Sequence, residues 1–366
     1  MIAMWAIGGL LIWLAVKKDM EPSLLLPMGF GAILVNIPFS GALTQQISDS
    51  IKSVGIIEWL FEVGIDASEA MPLLLFIGIG AMIDFGPLLS NPKMLLFGAA
   101  AQFGIFATIT AAYLLGFDLA DAASIGIIGA ADGPTSILVS RVLGSNYIGA
   151  IAVAAYSYMA LVPMIQPLAI KLVTTKKERR IRMPYNPSQV SRLTRILFPI
   201  IVTIIAGLVA PASVALVGCL MFGNLIRECG RLDTLSQTAS TAFANIITLL
   251  LGITISATMK ADSFINIETL MIMGLGFVAF IFDTMAGVIF AKFLNIFLPK
   301  GKKINPMVGG AGISAFPMSS RVIAKMALAE DNQNHLLMHA VGANVAGQIG
   351  SVVAGGIILN ILPKLI

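Results

Sequence analysis

The sequence predicts an all-α polytopic membrane protein, with about 10 transmembrane helices plus two re-entrant hairpins in inverted-topology repeats. Three observations lead there. Of the 366 residues, 57% are hydrophobic and only 11% charged, with a mean hydropathy of +0.92; too little polar surface exists to cover a water-soluble fold. Uninterrupted apolar runs of helical length recur along the chain, whereas the alternating pattern of outer-membrane strands is absent. Finally, two polar, glycine-rich segments interrupt the apolar sequence and are versions of one another. Gly129-Ala130-Ala131-Asp132-Gly133-Pro134-Thr135-Ser136 leads to Ser140-Arg141-Val142, and Gly309-Gly310-Ala311-Gly312-Ile313-Ser314 leads to Ser320-Arg321-Val322, 180 positions later. Interrupted segments in corresponding positions of two halves mark a binding site near the bilayer midplane.

Charge placement sets the orientation. Between Lys171 and Arg195 lie eight basic residues and one acid, Glu178; by the positive-inside bias this loop is cytoplasmic. It serves topology alone or also docks an acidic partner. The apolar run at 2–16 is followed by Lys17 and Lys18, an order that suits a first span and not a signal peptide. Spans at 2–16 and 24–38 form a first pair, and the mixed stretch 41–63 reads as an interfacial helix outside. Spans at 66–84 and 94–116 then reach the acidic turn of Asp118 and Asp121.

Residues 122–143 cross once or enter and return. A single crossing would put the basic loop outside, against the charge rule, so a hairpin is expected. Such backbone is tolerable at membrane depth only when packed in protein or lining a wet cavity. The span 147–172 follows, then runs at 196–209 and 212–226, with Arg227 and Arg231 inside. Spans 243–258 and 268–298 place Lys300, Lys302 and Lys303 inside. A second hairpin, 305–330, enters from the cytoplasm before a last span at 335–362. The chain thus divides into N-terminal scaffold helices with the interfacial helix (1–65), a first repeat (66–172), a cytoplasmic basic loop with scaffold helices (173–242) and a second, inverted repeat (243–366).

Asp132 stands where Gly133-Pro134 breaks a helical run, beside freed carbonyls and the hydroxyls of Thr135 and Ser136. These hard oxygen ligands suit a small alkali cation such as Na⁺. A bare carboxylate at mid-membrane costs roughly 2.5–3.5 kcal/mol, removed by a proton or a bound cation. The alternative is a neutral Asp hydrogen-bonded to hairpin backbone. The second hairpin offers Asn305, Gly309, Ser314 and Arg321. Arg321 either holds a substrate carboxylate bidentately or, like Arg141, anchors a hairpin end at the interface. Tyr156, Ser157 and Tyr158 follow hairpin one, and Asn344 with Gln348, one turn apart on a single helix face, follow hairpin two. A buried Tyr either relays a proton or satisfies one hydrogen bond. His335 and His339 have the spacing of a metal pair without an accompanying carboxylate motif, and Asp283 is a possible second-site acid or a packing residue. No transition metal is expected. Cys219 and Cys229 match no redox or metal spacing, and no nucleotide-binding loop occurs.

At these residues the sequence resembles the β-subunits of the sodium-pumping, biotin-dependent decarboxylases, which act on oxaloacetate, methylmalonyl-CoA, glutaconyl-CoA or malonate. The resemblance covers nearly the whole chain and rests on Gly-Ala-Ala-Asp-Gly-Pro-Thr-Ser at 129–136 together with Asn305, Gly309, Ser314 and Arg321. It implies an elevator-like transporter with a moving core and a scaffold, in the cytoplasmic (inner) membrane. It also implies decarboxylation of carboxybiotin, consumption of a proton and export of Na⁺. By matching position, Asp132, Asn305, Asn344 and Ser314 would bind Na⁺. Tyr158, Arg321 and Ser314 would serve catalysis, with Tyr158 as proton donor and Arg321 holding carboxybiotin. Gly133 and Gly309 would shape the hairpin backbone. The chain has no lysine between two methionines, so the biotin would sit on a separate carrier. A carboxyltransferase, that carrier, a small membrane anchor and further copies of this chain are the implied partners; the bilayer surrounds it and no nucleic acid is involved. The rival reading is a secondary Na⁺/carboxylate or Na⁺/H⁺ transporter without chemistry of its own. A non-transporting scaffold would leave the intramembrane Asp unexplained.

Overall fold

The structure is a computed structural model that describes residues 1–18, 21–48, 51–67, 69–185, 190–299 and 301–365. Helices carry almost all of it. In chain order they include α1 (Ile2–Lys18), α2 (Pro22–Val35), α3 (Ala70–Met82), α4 (Leu95–Ala101), α5 (Phe103–Leu114), α6 (Leu119–Gly126), α7 (Gly133–Val142), α8 (Ile148–Val173) and α9 (Arg192–Val209). There follow α10 (Val214–Glu228), α11 (Ala244–Ile255), α12 (Ile267–Phe297), α13 (Met307–Gly310), α14 (Met318–Glu330) and α15 (Leu337–Ile361). Caps visible in the sequence start several of them: Asp118 accepts from Asp121 N–H at 2.8 Å, Ser191 from Thr194 N–H at 3.1 Å, and Asn266 from Thr269 N–H at 2.7 Å.

Among the described residues, five helices are long and apolar enough to cross a membrane, and up to seven if each bent pair is one span. The protein is therefore multi-pass. The expected count of about 10 requires shorter helices to cross as well, among them α2 with 14 residues. Lys300, expected at the cytoplasmic end of a span, lies outside the described residues.

The stretch 41–63 is not an interfacial helix. It forms a short antiparallel hairpin, β1 (Gln45–Ser48) with β2 (Ile51–Ser53), then a six-residue helix, Ile56–Phe61. The reason is local. Gly41 adopts φ +68° and Gly55 is extended, so the chain breaks at both, and Glu58 folds back to accept from Thr44 N–H at 2.6 Å.

Two features set up the site. Helix α8 bends by 71° between its halves Ile148–Met159 and Leu161–Val173. Pro163 removes an N–H and its ring clashes with the carbonyl four residues back, that of Met159. The two polar segments also both fold back on themselves. Hairpin one joins α6 to α7, and its ends meet where Ser145 Oγ and Asn146 N–H donate to Asp121 Oδ1 at 2.6 and 3.0 Å. Hairpin two joins α13 to α14. Both its ends attach to Arg179, whose carbonyl accepts from Asn305 Nδ2 at 2.8 Å and whose guanidinium pairs with Glu330 at 2.6 Å.

The basic loop is largely consumed by these attachments. Arg180 donates to the Glu330 carbonyl at 3.0 Å, and Arg182 forks onto Asp331 at 2.6 and 3.0 Å. The loop straps the end of α8 to the base of hairpin two. Burial favours the neutral form of Glu178, but the Thr175 N–H and hydroxyl and Lys292 outweigh it and hold its carboxyl below the usual range. Arg182 holds the Asp331 carboxyl low in the same way.

Candidate ion site at the hairpin tips

Hairpin one reaches its tip through a tight 3₁₀ turn at Ile127–Ala130. Ala131 then takes a left-handed conformation (φ 52°, ψ 47°), and Asp132 is extended as the N-cap of α7. Pro134 in the first turn costs no hydrogen bond there. The Asp132 carboxylate, 3% exposed, accepts from Thr135 N–H at 3.3 Å, Thr135 Oγ1 at 2.8 Å and Ser351 Oγ at 2.7 Å. Its charge also faces the positive end of the α7 dipole. No cationic side chain is among these partners.

Hairpin two brings its tip to the same place. Ser314 N–H donates to the Ala130 carbonyl at 3.0 Å, so the two tips are directly bonded. Helix α15 lines both. Asn344, Gln348 and Ser351 recur at i, i+4 and i+7 on one face. Asn344 Nδ2 donates to the Ile313 carbonyl at 2.7 Å, Gln348 Nε2 donates to the Ser314 carbonyl, and Ser314 Oγ donates to the Gly347 carbonyl at 3.2 Å. Because each amide gives its NH₂ to a carbonyl, its own oxygen is turned the other way. Asn344 Oδ1 and Gln348 Oε1 are buried and accept no hydrogen bond from the protein. An orphaned buried acceptor costs about 1–3 kcal/mol, a cost that a bound cation or a buried water would remove.

Gly133 lies against the ring of Tyr156. A Cβ on Gly133 would fall 2.3 Å from Tyr156 Cζ, and the Tyr156 hydroxyl is buried with no hydrogen-bond partner. The other expected residues sit elsewhere. Tyr158 donates its hydroxyl to the Met273 carbonyl on α12. Asn305 is spent at the base of hairpin two, donating through Nδ2 to the Arg179 and Ile181 carbonyls at 2.8 Å each and accepting from Met307 N–H at 3.1 Å. Gly309 packs backbone to backbone on Gly287, where a Cβ would fall 2.0 Å from the Gly287 oxygen. Arg141 is not a lipid-facing anchor: it pairs with Glu69 at 2.7 Å and donates to the Ala67 carbonyl at 3.0 Å. Arg321 is exposed on α14. Burial pushes the carboxyl of Glu21, between α1 and α2, above its usual range, and the nearby charge of Arg321 offsets part of that. His339 stacks edge-on against Tyr185 with ring centres 5.5 Å apart, and no group of three metal-ligating side chains occurs among the described residues.

Residues 1–362 match the family described as the Na⁺-transporting oxaloacetate decarboxylase beta subunit. The methylmalonyl-CoA decarboxylase subunit beta of Propionigenium modestum is 47% identical, over 98% of this chain and 94% of the relative. The oxaloacetate decarboxylase beta chain of Klebsiella pneumoniae is 45% identical (96% and 92% covered), and the glutaconyl-CoA decarboxylase subunit beta of Acidaminococcus fermentans 46% (97% and 92%). The chain belongs to this family. It is a β-subunit of the Na⁺-transporting decarboxylases, a multi-pass membrane subunit in which decarboxylation is coupled to Na⁺ export.

Within this β-subunit, the sequence points to Asp132, Thr135, Ser314, Asn344 and Gln348 by motif or by helix face. Ser351 was missed. Its signal was present, since it extends the Asn344–Gln348 face by one turn, but a serine in an apolar helix commonly bonds only to its own backbone. The Ser351 hydroxyl lies within hydrogen-bond distance of both, and its one proton goes to the nearer acceptor, Asp132 Oδ2 at 2.7 Å, with the Gln348 carbonyl at 3.1 Å as the alternative.

Proposed function

We propose that this chain carries Na⁺ out of the cytoplasm at the bonded tips of its two hairpins, driven by decarboxylation of carboxybiotin. The observation that carries this reading is Asp132. It is a buried carboxylate with hydroxyl donors and no cationic partner, set beside amide oxygens that accept nothing. When Na⁺ binds, Asp132 supplies the charge and the neutral oxygens of Asn344 and Gln348 complete the shell, with the Thr135, Ser314 and Ser351 hydroxyls adjacent. When a proton replaces Na⁺, Thr135 and Ser351 hold the neutral acid. Competition between Na⁺ and H⁺ at one carboxylate makes export and proton uptake alternate.

Carboxybiotin, presented by a separate carrier subunit, supplies the driving reaction: its N–CO₂ bond breaks, CO₂ leaves, and the ureido nitrogen keeps the electron pair and takes a proton. Arg321 fits a carboxylate ligand, because its guanidinium is exposed and forms no salt bridge among the described residues. Tyr158 is the proton relay only if its bond to Met273 opens. Asn305 and Gly309 hold the base and seam of hairpin two. The Ser314–Ala130 bond favours the tips moving together, as an elevator core against α1, α2, α3 and α11. The two halves then act as inverted repeats in the cytoplasmic membrane, alongside a carboxyltransferase, the biotin carrier, a small anchor subunit and other copies of the chain.

The test is reconstitution of the complex in vesicles with no other energy source. A decarboxylase substrate should drive avidin-sensitive movement of radioactive sodium. Equal flux from a Na⁺ gradient in the presence of avidin would replace this reading with a secondary transporter.

A further inference from the structure

The apolar run Pro92–Leu114 crosses as one span with a local irregularity. Its α-helical bonding lapses at a single residue, Gln102, between α4 and α5, without a sharp bend of the span. The break is held from both sides. Helix α4 crosses α15 at contact distance, where a Cβ on Gly98 would fall 2.4 Å from the Ala346 carbonyl group and one on Gly347 would fall 2.3 Å from Gly312 O. Behind the break, the Asp283 side chain of α12 presses on Gly104, where a Cβ would fall 2.3 Å from Oδ1, and both its carboxyl oxygens are buried without a hydrogen-bond partner among the described residues.

Gln102 is 4% exposed. Its Nε2 donates to the Gly98 carbonyl at 2.9 Å and reaches the Gly312 carbonyl at 3.5 Å. Two carbonyls at the nitrogen fix the amide orientation, since the flipped form would set oxygen against oxygen. Its Oε1 is buried and accepts nothing from the protein. The pattern repeats that of Asn344 and Gln348. Three side-chain amides from two elements donate to the consecutive carbonyls of Gly312, Ile313 and Ser314, and each leaves its oxygen without a donor. Gly350, against which Gln102 Nε2 packs, adjoins Ser351, the donor to Asp132. Buried amide oxygens without a donor also occur at Gln166, Asn224 and Asn334, but among the described residues only these three amides donate to the consecutive carbonyls of one tip, and together they offer neutral oxygens suited to an alkali cation.

We infer that Gln102, between α4 and α5, is a ligand of the transported cation, so that a third element enters the site with the two hairpins. This rests on the hairpin tips being the Na⁺ site. The experiment uses the purified complex and NaCl or LiCl as the probe, with two readouts: the Na⁺ dependence of decarboxylation and the Na⁺-induced rise in melting temperature. Gln102→Met keeps the packing volume and removes the oxygen. It should raise the half-saturating Na⁺ concentration about tenfold, the effect of one lost polar contact, and shrink the Na⁺-induced rise more than it lowers the Na⁺-free melting temperature. An unchanged half-saturating Na⁺ with equal destabilisation in the presence and absence of Na⁺ would overturn the assignment. Should Gln102→Met fail to fold, Gln102→Glu keeps an oxygen at the same reach. It should make Na⁺ activation more pH-dependent and alter the preference for Na⁺ over Li⁺; no change in either overturns it too. Asp132→Asn separates the two levels. If it abolishes the Na⁺ response while the Gln102 variants keep it, only Gln102 is excluded; if it leaves the response intact, the tip site itself is excluded.

Discussion

Replacing Ser351 by alanine tests the least expected member of the proposed ion site. Its hydroxyl donates to Asp132 Oδ2 at 2.7 Å, and the residue is fully buried, so water cannot take its place at no cost. A hydrogen bond to a charged group contributes about 1.5–3 kcal/mol. Thr135 Oγ1 donates to the same oxygen at 2.8 Å and remains in the variant, which argues for the lower end of that range. One factor of ten corresponds to about 1.4 kcal/mol, so half-saturation by Na⁺ should move roughly tenfold upward. The maximal rate at saturating Na⁺ should change little, because the substitution leaves Arg321 and the cytoplasmic face untouched. Ser351 stabilises the ionised form of Asp132 that Na⁺ requires, so the deficit should widen as pH falls and H⁺ competes. The assay is Na⁺-stimulated decarboxylation by the purified complex, titrated with NaCl at several pH values. A fall in maximal rate with unchanged half-saturation would show that Ser351 only packs α15, and the site as drawn would be wrong.

Other expectations follow from equally local geometry. Gly133→Ala should cost about 1–3 kcal/mol of stability by overpacking, since its methyl would fall 2.3 Å from Tyr156 Cζ; Tyr156→Ala in the same chain should restore part of it in thermal unfolding. Arg321→Lys should lower turnover with little effect on half-saturating Na⁺, because a point charge cannot reproduce the fork that meets a carboxylate; equal loss of Na⁺ affinity would remove Arg321 from the carboxylate role. Glu178 and Asp331 both titrate below the usual carboxylate range, so their contribution to the strap formed by the basic loop is complete above that range and is lost as pH falls through the lowered values. Hydrogen-exchange protection of 174–182 should therefore hold at neutral pH and weaken only in acid, and Arg182→Ala should weaken it at neutral pH as well.

The sequence was most legible where chemistry and backbone break coincide. Asp132 before Gly133-Pro134 could be placed at a helix start inside the membrane because Pro cannot continue a helix and a bare carboxylate there needs a reason. The fold-back of 122–143 followed from charge order alone, and the contact of Ser145 with Asp121 matches it. Stretch 41–63 misled because composition was read without period: its glycines end any helix, and a hairpin closes between them. The basic loop was read as a possible docking surface because its acids, Glu330 and Asp331, lie about 150 positions away. Asn305 was grouped with the ion site by resemblance, yet its amide is used at the hairpin base.

By itself the sequence determined that this chain lives in a bilayer, predicted from charge order which loop faces the cytoplasm, and showed that one hairpin carries the acid. Those properties are written in hydropathy, charge order and single-residue chemistry, each of which is local. Only the tertiary structure decided who meets whom. The bond from Ser314 to Ala130 joins the copies, Ser351 reaches Asp132 from 219 positions away, and Gln102 reaches Gly312 from 210. Such pairings depend on close helix crossings at Gly98, Gly287, Gly309 and Gly347. In the membrane, where apolar contact with lipid and with protein differ little, it is this backbone proximity that selects one packing among many.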